Sequence, residues 1–293
     1  MFKVLGIFVF ALSFAGEVIA TPMIYRYWDL GASPTRDAYQ FELLRLALER
    51  TRKSHGDYEL IRVDQKLTSL RASREVSRGE LINIEATPNW TTESVPSEIR
   101  RDKRIAIKIP LLEGLLGYRR LVIRKADVEK FAAITRAEEL QALVAGQGRD
   151  WEDIFIYRNN GFKVNAEADY YNLFAMLVAG RFDYLPLSTV EVDNFIQKFG
   201  MYSEDVVVAP GILIYYPFPV LFQLSKNTPE LAERVNVGLT EAKRDGSMKN
   251  LFEHYFAEDL KKLRDSNMRV FVLKNHRVPE YLRLDEPLLV KKR

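Results

Sequence analysis

Residues Asp169–Glu191 read DYYNLFAMLVAGRFDYLPLSTVE, and the order of residue types along them decides the fold. Leu173, Met176, Leu177 and Gly180 recur at helical spacing, which predicts a helix over Asp169–Ala179 with one apolar face. Gly180 ends it, because glycine takes the left-handed turn after a helix without steric cost. Phe182, Tyr184, Leu185 and Leu187 then predict a short buried strand. Ser188 and Thr189 are placed to cap a second helix, whose apolar stripe is Val192, Phe195, Ile196 and Phe199. Helix, glycine, strand, helix is the unit of a parallel α/β sheet. Glu191 follows the strand's carboxyl end, the edge where open α/β sheets hold ligands. Taken alone, it fits a solvated acid at a positive helix N-terminus better.

Upstream, Ile24–Trp28 predicts a first strand, and Ser33-Pro34 a helix start running to about Lys53. Tyr58–Val63 alternates as a strand. Leu67–Val76 predicts a short helix that Gly79 ends before a strand at Leu81–Ile84. SREVSRGELINIEAT around Gly79 thus echoes FAMLVAGRFDYLPLST around Gly180, as two units built on one α/β plan would. Thr87–Arg104 is polar and irregular, and RIAIKIP (Arg104–Pro110) alternates like a strand crossing into a new unit. Leu121–Ile123 is a further strand, Asp127–Phe131 and Ala137–Val144 are short helices, and Ala145–Gly148 is a tight loop. Trp151–Tyr157 opens a helix or strand that ends at the Asn159-Asn160-Gly161 turn.

Downstream, Val206–Ala209 into Pro210-Gly211 reads as a return crossing, and Ile212–Leu224 as an apolar strand region broken by Pro217 and Pro219. Two helices follow, from Thr228-Pro229 to Gly246 and from Ser247 through Phe256. Val270–Leu273 is a candidate last strand.

The chain of 293 residues is 47% hydrophobic and 28% charged, which suits one large domain or two lobes of ordinary size. Its net charge of +3 argues for neither nucleic acid nor an anionic membrane. Lys3, the apolar run Val4–Ala15 and Val18-Ile19-Ala20 form a leader over residues 1–20, with cleavage expected before Thr21. The run is too short to span a bilayer comfortably. There are 0 cysteines, so an exported chain relies on its core for stability and has no cysteine to lipidate. A free-floating exported protein needs a second membrane to retain it. The expected place is therefore a Gram-negative periplasm.

The chemistry is read mostly by exclusion. The 3 histidines, His55, His254 and His276, have no metal-ligand spacing, and without cysteine there is no thiol nucleophile. Gly146-Gln147-Gly148 lacks the rest of a dinucleotide or phosphate-loop fingerprint. No cofactor, no metal and no catalytic residue is expected. Aromatic and polar residues at strand ends remain: Tyr27, Trp28, Trp90, Tyr118, Arg119, Gln147, Trp151, Tyr170 and Glu191. Each alone fits packing or surface; together they suit a cleft that clamps a small polar ligand between aromatic faces and a few charges.

The block LxSLxxxREVxxGE before a strand, the crossing IAIKIPLLEGLLGYRRLVI, and GQGRDW, NNGF, YYNLFAMLVAGRFDYLP and LSKNTPELAERVNVGLTEAKRDGSMKNLFEHYF resemble periplasmic solute-binding proteins of the family 3 type. The resemblance covers nearly the whole chain after the leader. It implies an α/β fold of two Rossmann-like lobes joined by two crossover strands, the type II periplasmic-binding-protein fold, with a ligand cleft between the lobes. Lobe one would be residues 21–109 plus 209–293, and lobe two the insert 110–208. The family's amino-acid binders usually carry an arginine just beyond a Ser/Thr-rich strand end. Here that region holds Trp90 and Thr91, with no arginine before Arg100 and Arg101. The implied function is binding of a small polar solute, with an inner-membrane ABC permease or sensor as partner and a monomer as the working form. The alternatives are an exported ligand-sensing receptor of the same fold, and a small-molecule lyase or dehydratase. The enzyme would need a carboxylate acid/base pair, for which Glu191, Glu85 and Glu93 are the candidates.

Overall fold

The structure is a computed structural model and describes residues 21–29, 31, 33–88, 104–149, 151–169, 171–264, 268–282, 287 and 289. The expected leader, Trp90, Glu93 and Tyr170 lie outside the described residues.

Strand β1 (Met23–Trp28) leads into helix α1 (Pro34–Arg50), the short α2 (Arg52–His55) and strand β2 (Tyr58–Val63), which lies parallel to β1. Helix α3 (Ser69–Arg78) is capped by the Thr68 hydroxyl, and Gly79 at φ 80° closes it. Strand β3 (Ile84–Pro88) begins later than the expected Leu81–Ile84. The cause is Asn83, whose side-chain oxygen accepts from Arg26 N and whose amide donates to Ile24 O, both at 2.8 Å. That side chain takes the place of ladder bonds on β1, so strand pairing starts one residue on.

After β4 (Arg104–Ala106) the chain crosses to β5 (Tyr118–Arg124), then α4 (Val128–Ala132), α5 (Ala137–Gln141), β6 (Val144–Gly146), α6 (Asp153–Asn159) and β7 (Lys163–Asn165). The expected loop at Ala145–Gly148 is thus partly strand. Gly146 is required there by packing rather than by a turn, since a Cβ would lie 2.3 Å from the Phe182 ring.

Next come α7 (Leu173–Val178), β8 (Tyr184–Ser188), α8 (Val192–Lys198) and β9 (Val206–Val208). Helix α7 is shorter than its apolar spacing predicts, because the Asp169 carboxylate takes the N–H groups of Tyr171 and Asn172 at 3.0 and 3.1 Å and holds a turn there. Strands β10 (Ile212–Tyr215) and β11 (Val220–Ser225), helices α9 (Pro229–Arg244) and α10 (Ser247–Arg264), and β12 (Arg269–Val272) complete the chain.

Two sheets result. The first has the order β2-β1-β3-β11-β4, the second β12-β10-β5-β8-β6-β7, with β9 also on β5. Val206–Val208 is therefore a strand within the second sheet and not the return crossing. Ile212–Tyr215 and Arg269–Val272, expected in lobe one, pair with each other and, through β10, with β5. The chain returns over residues 216–219, where Pro217 and Pro219 have no N–H to offer a ladder. Both β10 and β11 are fully buried, so their apolar runs carried no mark of which sheet each would join.

Candidate ligand-binding site

Strands β6 and β8 run parallel, with Ala145 beside Tyr184, so their carboxyl ends reach the same edge of the second sheet. Strand β5 runs antiparallel to β8 and starts at that edge, with Arg119 opposite Ser188 and Ile123 opposite Tyr184. Side chains alternate along a strand, so Arg119, Ser188, Tyr184 and Ala145 share one face. Gln147 continues β6 on that face, its N–H bonding Asn165 O at 2.9 Å. Helix α6 lies over it and brings in Asp153 and Tyr157, four residues apart.

Arg119 is buried and pairs through Nη2 with Asp153 Oδ1 at 2.9 Å. The same carboxylate accepts from the Tyr216 hydroxyl. The guanidinium stands 5.1 Å from the Tyr216 ring centre and 4.8 Å from that of Phe218, within cation–π range. Burial works against its charge, yet Asp153, Tyr216 and Glu191 hold its pKa above the ordinary value. Burial also pushes the Tyr157 and Tyr216 hydroxyls well above the usual phenol range, so both are neutral donors.

The first sheet contributes the start of α1. Ser33 N donates to Asp37 Oδ2 at 2.9 Å, while the Ser33 hydroxyl donates across to Val190 O at 3.2 Å. Ser33 thus holds the cap position, but its side chain bonds the other sheet's loop instead of its own helix. Arg36 pairs with Glu191 and lies 3.5 Å from Asp37. Burial raises the Asp37 pKa against the opposing pull of Arg36 and the Ser33 N–H. On the second sheet, Thr189 donates to Tyr118 O at 3.1 Å, and Glu191, rather than Ser188 or Thr189, occupies the cap position of α8.

Of the residues singled out from sequence, Arg119, Gln147 and Glu191 come to this edge. Tyr27 is packed in the first sheet, its hydroxyl on Gln40 Oε1 at 3.1 Å and its ring edge-on to Phe41 and Phe222. Trp28 packs with Ala72, Val76 and Ile82 and donates to Gln65 O at 3.2 Å. The Tyr118 side chain turns to Tyr215, 4.6 Å between ring centres, and its hydroxyl, pushed up to about 12 by burial, accepts from Leu289 N. Trp151 is half-buried against the Val122–Leu173 cluster and the backbone of Gly148. Sequence reading missed Ser33, Arg36, Asp37, Asp153, Tyr157, Ser188 and Tyr216. The one available signal was the helical spacing of Asp153 and Tyr157, which no apolar stripe advertised.

Among the described residues, several buried polar atoms at this edge have no hydrogen-bond partner: both amide atoms of Gln147, Ser188 Oγ, the Tyr157 hydroxyl, Arg119 Nε, Arg36 Nε and Nη2, and Asp37 Oδ1. Buried polar groups are nearly always bonded, which makes this edge a candidate binding place.

No family model matches the sequence, and no curated protein does. Solved structures do match. A mutant of ArgBP from T. maritima is 19% identical and aligns over 80% of this chain and 95% of its own, with TM-score 0.50. An ancestral arginine-binding protein bound to glutamine is 16% identical over 80% and 97%, with TM-score 0.53. An ancestral amino acid-binding protein, a precursor of cyclohexadienyl dehydratase, is 17% identical over 80% and 95%, with TM-score 0.52. At these identities the likeness is one of fold. This chain has the α/β type II periplasmic-binding-protein fold, and the resemblance to family 3 solute-binding proteins holds at that level.

Proposed function

We propose that this chain is an exported solute-binding protein that holds a small polar molecule between its two sheets and delivers it to an ABC transporter. The observation that carries the reading is the set of unbonded buried polar atoms at the carboxyl edge of the second sheet, facing the start of α1. Lobe one is proposed as residues 21–106 with 220–264, and lobe two as residues 118–215 with the last strand. The cleft residues are Arg119, Gln147 and Glu191 with Arg36, Asp153 and Ser188. The working form is proposed to be a monomer in the periplasm, freed of residues 1–20.

Of the carboxylates the lyase alternative would call on, one is placed elsewhere. Glu85 is 1% exposed and tied to Arg104 and Ser73 inside the first sheet, away from Glu191, so the two do not make an acid/base pair.

The test is a thermal-shift screen of small polar metabolites, in which a ligand at 100 times its Kd adds about 2.7 kcal/mol. Small-angle scattering should then give a smaller radius of gyration with the hit bound; an unchanged radius at saturation counts against a closing cleft. Uptake of the labelled hit should fall in a strain lacking this protein. Fractionation with N-terminal sequencing should find a soluble protein starting at Thr21, and an intact Met1 in the membrane pellet would overturn the export reading.

A further inference from the structure

Resting on that reading, we propose that the cleft takes an uncharged ligand rich in hydroxyl or amide groups, selected by Gln147 and Ser188. The charges at the site are already matched from within. Arg119 is bound to Asp153, and Arg36 to Glu191 and Asp37. The two cations stand against three carboxylates, so an added ligand carboxylate would meet a net negative surface, and neither arginine is free of a resident acid. An amino-acid zwitterion would have to displace Asp153 or Glu191 to reach them, leaving a buried acid unpaired, which costs several kcal/mol.

The groups left without partners include neutral ones. Gln147 is 0% exposed and presents both a donor pair and an acceptor; Ser188, also 0% exposed, presents a hydroxyl. The Tyr157 hydroxyl, held neutral by burial, is a third. The charged residues hold unbonded atoms too: Arg119 Nε and Arg36 Nε and Nη2 can donate to a hydroxyl or carbonyl oxygen, and Asp37 Oδ1 can accept from a hydroxyl. Strands β6 and β8 are adjacent and parallel, and Gln147 and Ser188 lie on one face towards their carboxyl ends, which puts both in the proposed site. A neutral site built to hydrogen-bond rejects a ligand that lacks the matching groups, because its own polar atoms then stay unpaired.

The experiment uses the purified chain without its leader and matched probes: glucose against gluconate, nicotinamide against nicotinate, and glutamine and arginine as zwitterions. The expected result is that a neutral member binds at least about tenfold more tightly than its anionic match. Gln147→Leu and Ser188→Ala should abolish that binding and raise the melting temperature of the ligand-free protein, since each removes an unsatisfied buried group. Tighter binding of an amino acid or anion, lost in Arg119→Lys, overturns the ligand class while leaving solute binding intact. If no probe binds, the two variants decide by stability alone. A rise in melting temperature supports groups held open for a ligand; no change or a fall shows that they belong to the packing and overturns the proposal. Should Gln147→Leu fail to fold, Ser188→Ala, which only removes an oxygen, gives the reading.

Discussion

Arg36, in the first turn of α1, and Glu191, on the turn after β8, form an ion pair that joins the first sheet's leading helix to the second sheet's carboxyl edge. The Ser33 hydroxyl on Val190 O flanks it, and Lys262 of α10 reaches Asp193 of α8 at 2.6 Å. The arginine side chain is 7% exposed and the glutamate 20%, so the pair is largely shielded from solvent screening.

Glu191→Gln keeps the shape and removes the charge. Arg36 then has only Asp37, and stability should fall by about 1–2 kcal/mol, less than a fully buried pair because Glu191 is partly wet. Denaturant unfolding reads the loss. The ligand-free radius of gyration should grow as the sheets part; a radius equal to that of the unchanged protein would show that this pair does not hold them together.

Gly238 lies where α9 crosses α1, and a Cβ there would stand 2.0 Å from Ala47 O. No flexible side chain can give way, because the obstacle is backbone. Gly238→Ala should destabilise by about 3 kcal/mol through overpacking. Gly180→Ala is the control: φ is 71° with nothing within 4 Å, so only the left-handed backbone is strained, at about 1 kcal/mol. Equal losses in the two melting curves would contradict this packing.

Arg234 is 0% exposed and donates to Thr51 Oγ1 and to the carbonyls of Gly56 and Asp57 at 3.0, 2.7 and 3.2 Å. It closes the end of α1 and α2 from α9. Arg234→Met removes these bonds and strands Thr51 Oγ1, the one of the three acceptors on a buried residue, while water can reach Gly56 and Asp57; about 1–3 kcal/mol should be lost. Arg234→Lys, a point donor on a shorter reach, should recover little of it. A chemical denaturation series checks both.

Glu139 accepts from the N–H groups of Thr135 and Arg136 at 2.8 and 3.1 Å, and these bonds hold its carboxyl at about 2. The folded pKa is depressed, so its contribution to stability is present above the ordinary carboxylate value and is lost as pH falls towards 2. An NMR titration should find this carboxyl still ionised at pH 3. Glu139→Gln should flatten the stability profile between about pH 4.5 and 2; a titration midpoint near the ordinary value would refute the capping role.

What the sequence determined by itself was local. Apolar spacing, the glycines at the left-handed turns after α3 and α7 and proline at the start of α1 and α9 are short-range signals, and they located the α/β units around Gly79 and Gly180. The resemblance extended those units to the type II fold. Tertiary structure decided the rest. Ile212–Tyr215 and Val220–Ser225 are both buried along their whole length, and only their pairing partners assign them to different sheets. Ser33 has the composition of a cap, yet Val190, 157 residues away, takes its hydroxyl. Arg119 stood out in the chain, but its acid, Asp153, and its aromatic bed, Tyr216 and Phe218, come from elements far apart in sequence. Burial and charge pairing are properties of the closed packing, and they determine which polar groups are left over for a ligand.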